Sequence, residues 1–257
     1  MLELINLPAF EDNYIWMLAD PERGVALAVD PGDAQPVEAK LHEQQWQLGC
    51  ILITHHHPDH TGGVAVLAER HHPQIIAPDD PRIGHASQRV RDGETVSIDK
   101  LQVQVQVLAV PGHTRSHVAY HLNDWLFCGD TLFSLGCGRL FEGTPAQMLS
   151  SLDRFRTLQA TTLVCAAHEY TLANARFALS VDPDNPDLQA RYATVVRRRQ
   201  EGLPSLPVML DSEIRCNPFL RVDVPAIQAW CTRRDPQAHS RIERFAILRQ
   251  AKDHFRE

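Results

Sequence analysis

The 257-residue chain is 44% hydrophobic and carries 25 Lys and Arg against 32 Asp and Glu, a formal charge of −7. Length and apolar content allow a sizeable buried core in one large domain or two modest ones, while the acidic balance disfavours nucleic acid as a partner, because nonspecific binding rests on phosphate neutralisation by Lys and Arg. Six cysteines without a Cys-x-x-Cys pair suggest neither a disulfide framework nor a thiolate zinc knuckle, and no signal-like start or membrane-length apolar run is present, so a cytoplasmic protein with no membrane partner is expected.

Short strands are predicted at residues 2–7, 14–18 and 25–29, the third closing at the turn Asp30-Pro31-Gly32-Asp33, with a helix over about 36–45. The apolar run Cys50-Ile51-Leu52-Ile53 then delivers the chain into Thr54-His55-His56-His57-Pro58-Asp59-His60. This stretch offers four imidazoles and a carboxylate, ligands that suit zinc and similar divalent ions. The spacing His-x-His-x-Asp-His lets alternate side chains address two adjacent positions, so it reads as half of a dinuclear centre. Interruption by Pro58 and Asp59, and continuation through Thr61-Gly62-Gly63 into a helix over 64–70, separate it from a tag or a surface histidine tract.

Further strands are predicted at 75–77 and 95–98, and along Leu101-Gln102-Val103-Gln104-Val105-Gln106-Val107, whose alternation puts the aliphatic residues on one sheet face and the glutamines on the other. Strands at 118–122, 125–128 and 162–166 and a helix near 145–158 complete a layered order of two sheets with helices outside them. Beyond about residue 172 strand signals all but vanish. Helices at 172–179, 188–200 and 241–255, joined by Pro-rich turns, predict a smaller helical C-terminal domain. Within it, Arg197-Arg198-Arg199 reads as a solvated helix face.

Three more candidate ligands end apolar runs: His113 in Pro111-Gly112-His113-Thr114, Asp130 in Gly129-Asp130-Thr131, and His168 in His168-Glu169. Each alone is compatible with a turn or helix cap. As an ordered set on strand-end loops, they are expected to converge on one cleft. Asp30 is read either as a turn former or as a carboxylate orienting a ligand histidine. His42, His71, His72, His85, His121, His239 and His254 are read as surface, capping or packing residues.

The motif Thr54-His55-His56-His57-Pro58-Asp59-His60, followed in order by His113, Asp130 and His168, resembles the metallo-β-lactamase superfamily. Within it the chain is most similar to the glyoxalase II (hydroxyacylglutathione hydrolase) family, over essentially its whole length. The stretch 127–144, with Gly129-Asp130-Thr131-Leu132-Phe133 and Gly136-Cys137-Gly138-Arg139-Leu140-Phe141-Glu142-Gly143-Thr144, carries that resemblance together with His168-Glu169-Tyr170-Thr171, Pro8-Ala9-Phe10, Asp12-Asn13-Tyr14 and the C-terminal helical extension.

The resemblance implies an α+β fold, a four-layer αββα sandwich, with a catalytic domain at 1–172 and a helical domain at 173–257 that contributes to a glutathione site. It assigns His55, His57 and His113 to one metal, Asp59, His60 and His168 to a second, and Asp130 to both; His56 and Pro58 fall at variable positions. Two divalent ions per chain are implied, zinc first and iron or manganese as alternatives. Arg139, Phe141, Tyr170, Asn174, Arg249 and Lys252 are implied substrate contacts. Phe141 stands where some relatives have Tyr, so a hydroxyl contact is missing there. For Arg249 and Lys252, the competing reading from the residues alone is a solvated basic helix end.

Two cations sharing Asp130 and a water would bring that water's pKa toward neutrality, giving Asp59 and Asp130 a catalytic part through the resulting hydroxide. A thiol of pKa about 8.5 leaves as thiolate with little acid assistance, which suits thioester hydrolysis. The implied activity is hydrolysis of S-(2-hydroxyacyl)glutathione, chiefly S-D-lactoylglutathione, to glutathione and D-lactate in methylglyoxal detoxification, by a monomer whose partner is the small-molecule thioester. Rival readings are a sulfur dioxygenase with one iron, a nuclease, which would want a basic surface, and a noncatalytic metal-binding module, which would want closed coordination.

Overall fold

A computed structural model describes residues 1–256. The chain divides into two compact units, one formed by residues 1–109 and 116–129, the other by residues 110–115 and 130–257.

The first unit opens with a six-stranded sheet in chain order: β1 (Glu3–Ala9), β2 (Asn13–Asp20), β3 (Val25–Val29), β4 (Gln47–Leu52), β5 (Gln74–Pro78) and β6 (Gln88–Val90). The first three strands are antiparallel and joined by turns, whereas β3 to β6 run parallel. Parallel pairing needs crossovers, and helices α1 (Ala34–Gln44) and α3 (Val64–His71) supply them, with the short α2 (Pro58–Thr61) just before α3. Strands β2 to β5 are buried almost throughout, which explains their continuous apolar runs in place of alternation. Helix α1 starts at Asp33, whose side chain accepts from the Gln35 amide, and buries Val37 and Leu41; α3 buries Val64 and Leu67. These four pack with Ile51 and Ile75 of the sheet, each contributing about 1.5–3 kcal/mol by leaving water.

A second sheet in this unit is an antiparallel meander of β7 (Thr95–Ile98), β8 (Val103–Ala109), β9 (Val118–Leu122) and β10 (Trp125–Gly129). The predicted alternation holds, with Val105 and Val107 buried and Gln104 and Gln106 exposed. The strand begins two residues later than expected because Leu101 and Gln102 form a turn, closed by their amides on Ile98 and Asp99, with Gln102 at φ 54°. Tyr120 of β9 is fully buried and donates its hydroxyl to the carbonyls of Ile53 and Ile76, tying the two sheets together. Strand β6 was not foreseen; three residues carry no readable period, and pairing to β5 makes it a strand.

The second unit contains a minimal hairpin, β11 (Leu132–Phe133) with β12 (Gly136–Cys137), then α4 (Pro145–Phe155), β13 (Leu163–Ala166), α5 (Thr171–Val181) and α6 (Pro186–Gln200). Strand β14 (Val208–Met209), helices α7 (Leu210–Cys216), α8 (Pro225–Thr232) and α9 (Arg241–His254) follow. Helix α4 is set by a capping box between Thr144 and Gln147, with Pro145 in its first turn. The expectation that strands cease beyond residue 172 is corrected by β14, which pairs antiparallel with β13 through Val164 and Val208. Helices α7 and α8, 7 and 8 residues long, are too short to have stood out as periodic segments. Of the three consecutive arginines only Arg197 is exposed: Arg198 and Arg199 donate to the carbonyls of Pro204 and Leu203 and fasten the turn after α6, correcting the solvated-face reading. All six cysteines are free and buried. Among the described residues, no helix is long and apolar enough to cross a membrane.

Candidate metal centre

In the first unit, β3 and β4 lie side by side, which brings Asp30 next to Thr54 at their ends. Asp30 has φ 51° and is buried, and its carboxylate accepts from the Thr54 amide at 2.7 Å, the Thr54 hydroxyl at 2.6 Å and His60 Nδ1 at 3.0 Å. It is therefore both turn former and orienting carboxylate. Pro58 starts the single turn α2, which bends the chain so that His60 returns toward His55, with ring centroids 4.1 Å apart. Donor atoms of Asp30, His55 and His60 lie within 4.8 Å of one another.

His55 Nδ1 is 3.0 Å from the Thr54 hydroxyl and its Nε2 faces His57 Nδ1 at 3.0 Å. His60 Nε2 faces Asp59 at 3.4 Å, and Asn13 donates to the same carboxylate at 3.0 Å. His56 points elsewhere, 3.7 Å from the Asp80 carboxylate. Asp80 itself is held well below the usual carboxylate range by hydrogen bonds from Arg82 and Ser116.

His117 was not singled out in the sequence. It is fully buried and stacks on His55, with centroids 4.6 Å apart and planes at 19°. Its one signal was the recurrence of His four residues after His113. Gly129 is required beside it: φ is +47°, and a Cβ there would lie 2.4 Å from the Thr54 hydroxyl and 2.8 Å from the His117 ring.

In the second unit, His113 donates Nδ1–H to the Arg139 carbonyl at 2.9 Å, which turns Nε2 toward Asp130 Oδ2 at 3.3 Å. The other oxygen, Oδ1, lies 3.4 Å from His168 Nε2. One carboxylate thus addresses two imidazoles with different oxygens. Gly138 permits this arrangement, since a Cβ there would fall 1.9 Å from the Asp130 carbonyl. Tyr170 stacks on His168 at 4.7 Å and 6°, and Phe141 meets the His113 ring edge-on at 5.2 Å.

His60 and His113 each give one ring nitrogen to an oxygen of the protein and turn the other toward a further potential ligand, the usual arrangement of metal-binding imidazoles. This nitrogen and carboxylate-oxygen set fits a divalent cation.

His113 and Asp130 also line a cavity of about 480 Å³ within the second unit, together with all six residues expected to contact substrate. Arg139 and Phe141 are exposed, and Tyr170 is partly so. Arg249 is buried and donates to the Cys137 carbonyl at 2.6 Å and to Asp253 at 3.0 Å, so it is no solvated helix end. Lys252 donates to the Ala173 carbonyl, and burial, reinforced by Arg249 and Arg139, brings its pKa down to about 8. Asn174 is buried and its amide donates to the Ser134 carbonyl at 3.1 Å. The cavity also takes in Phe133, Cys137, Asp253 and Phe255, which sequence reasoning had not marked as site residues.

Residues 13–168 match the metallo-beta-lactamase superfamily, and residues 169–255 match the family described as hydroxyacylglutathione hydrolase C-terminus. A hydroxyacylglutathione hydrolase of Xanthomonas euvesicatoria pv. vesicatoria (strain 85-10) is 49% identical over 99% of this chain and 100% of its own length. One of Synechococcus sp. (strain JA-3-3Ab) is 50% identical with the same coverage. Among solved structures, TTHA1623 in a di-iron-bound form shares the fold at a TM-score of 0.60 and 22% identity, covering 85% of this chain and 100% of its own. Matched in both segments and along its full length, the chain belongs to the hydroxyacylglutathione hydrolase family of the metallo-β-lactamase superfamily.

Proposed function

We propose that the chain hydrolyses S-(2-hydroxyacyl)glutathione, chiefly S-D-lactoylglutathione, to glutathione and D-lactate, the thioester step of methylglyoxal detoxification. The observation that carries this reading is the cavity in which His113 and Asp130 share walls with Arg139, Tyr170, Arg249 and Lys252. A glutathione thioester has a polar, doubly carboxylated body and one reactive carbonyl, and that lining offers cations for the first beside metal-binding groups for the second. The names of the full-length relatives agree with it.

Divalent metal binding follows from the fold and the donor set. Two ions, zinc by ligand chemistry, are the proposed complement, with His55, His57 and His113 holding one, Asp59, His60 and His168 the other, and Asp130 serving both. When bound, such cations supply an ionised water at neutral pH and polarise the thioester carbonyl. The protein's own groups do the rest. Asp30 and the Arg139 carbonyl fix the tautomers of His60 and His113. Arg249, Lys252 and Arg139 bind the glutathione carboxylates by charge-assisted hydrogen bonds, which outweigh the net charge because they act at short range in a partly enclosed site. Phe141 adds an aromatic wall without a hydroxyl. The departing thiolate needs no dedicated acid, given a thiol pKa of about 8.5. We assign the catalytic domain to residues 1–172 and the helical, glutathione-binding domain to residues 173–257.

The test is the initial rate of S-D-lactoylglutathione hydrolysis by purified protein before chelation, after it, and after metal is restored. Turnover lost with the metal and regained with it is expected. No turnover by fully metallated protein sinks the thioesterase reading, and oxygen consumption with one iron per chain would replace it by the dioxygenase.

A further inference from the structure

Glu213 of α7 is an ionisable residue with no exposed surface and does not line the cavity. Burial pushes its carboxyl up from the usual range, yet three donors converge on it: the Ser134 hydroxyl at 2.7 Å, the Leu135 amide at 2.8 Å and Asn217 Nδ2 at 2.9 Å. Two of the three belong to the loop of the β11–β12 hairpin. Asn217, also fully buried, donates to the carbonyls of Phe133 and Gly136 at 3.1 and 2.9 Å. Asn174 of α5 donates to the Ser134 carbonyl, and its side chain packs so closely on Gly136 that a Cβ there would sit 2.5 Å away. Arg191 completes the enclosure with a bond to the Ser134 hydroxyl at 3.3 Å.

The hairpin needs such a hold. Its loop is Ser134-Leu135, and Leu135 adopts φ +59°, a conformation that two-residue turns normally give to Gly or Asn. A leucine does not keep that geometry by its own preference. The hairpin begins two residues after Asp130, carries Phe133 and Cys137 into the cavity wall, presents the Cys137 carbonyl to Arg249, and leads to the Arg139 carbonyl that orients His113.

We propose that Glu213, Asn217 and Asn174 are positioning residues that set this hairpin, and through it the glutathione wall of the cavity, with Asn174 acting by holding Ser134 instead of donating to the ligand. The proposal rests on the thioesterase reading for its kinetic consequence, while the hold itself can be measured without substrate.

Two variants test it in the metal-loaded protein. Glu213→Gln keeps shape but leaves one accepting oxygen for three donors, so that either the Ser134 hydroxyl or the Leu135 and Asn217 pair loses its acceptor; Asn174→Asp removes the donor to Ser134 and sets an oxygen against its carbonyl. For both, loss of buried hydrogen bonds is expected to speed exchange of the Leu135 and Gly136 amides and raise KM for S-D-lactoylglutathione about tenfold, with kcat within about threefold and metal content unchanged. A raised KM in Asn174→Asp with unchanged amide exchange would mean direct ligand contact and overturn the assignment. Unchanged exchange and KM in Glu213→Gln would overturn the hold; if that variant does not fold, Asn174→Asp decides alone. A wild-type control that leaves the thioester intact would fail the thioesterase reading by itself, and the exchange rates would still judge the hairpin.

Discussion

Lys252 sits in the cavity with a pKa of about 8, lowered first by burial and then by neighbouring Arg249 and Arg139. Only its protonated form attracts a carboxylate, so the sign follows directly: below about pH 8 the charge is present and affinity is constant, and above it affinity falls as the proton leaves. KM for the glutathione thioester should therefore be flat from pH 6.5 to about 8 and climb beyond it, and Lys252→Met should raise KM and abolish the climb. A wild-type KM that stays flat to pH 9.5 would remove Lys252 from the binding site. Asp30 makes a different demand. Its carboxylate receives the Thr54 amide, the Thr54 hydroxyl and His60 Nδ1, and Asn can accept through only one oxygen. Asp30→Asn should weaken metal binding by roughly 10–100-fold, as loss of such orienting partners does, read by competition with a chromogenic chelator. Unaltered affinity would return Asp30 to the role of turn former alone.

Helix α9 carries Arg249 and Lys252 one turn apart and owes its start to Ser240, which accepts from the Glu243 amide while Glu243 reaches back to the Ser240 amide. Ser240→Ala removes half of that box on an exposed end. Melting should fall by roughly 2–4 °C with KM unmoved, separating the helix's stability from its binding residues. A KM change would show that the register of α9 depends on its cap. At this scale the legible elements were those whose burial gives a period or a run. The alternating β8 and the apolar β3 and β4 were visible, as were α4 and α6. Strands β6 and β14 were hidden because each is too short for a period and exists only by pairing with β5 or β13, contacts that local sequence does not encode.

For the molecule as a whole, the formal charge of −7 coexists with a cavity lined by Arg139, Arg249, Lys252 and Arg256. Net charge averages over the whole chain, whereas the field a ligand meets in the cavity is set by these four cations and their neighbours. The sequence by itself determined the family: the histidine motif, His113, Asp130 and His168 each end an apolar run, and their residue types and order carry the resemblance that the superfamily match bears out. It determined the main helices and strands through their periodicity as well. The tertiary structure decided what holds those groups in place. Asp30 on His60, the Arg139 carbonyl on His113, and Glu213 gripping a turn 79 residues away are hydrogen bonds of individual polar groups between segments separated in sequence. Such contacts leave no periodic trace, because their stabilisation comes from satisfying individual buried donors and acceptors, and which ones meet is fixed only when the chain has folded.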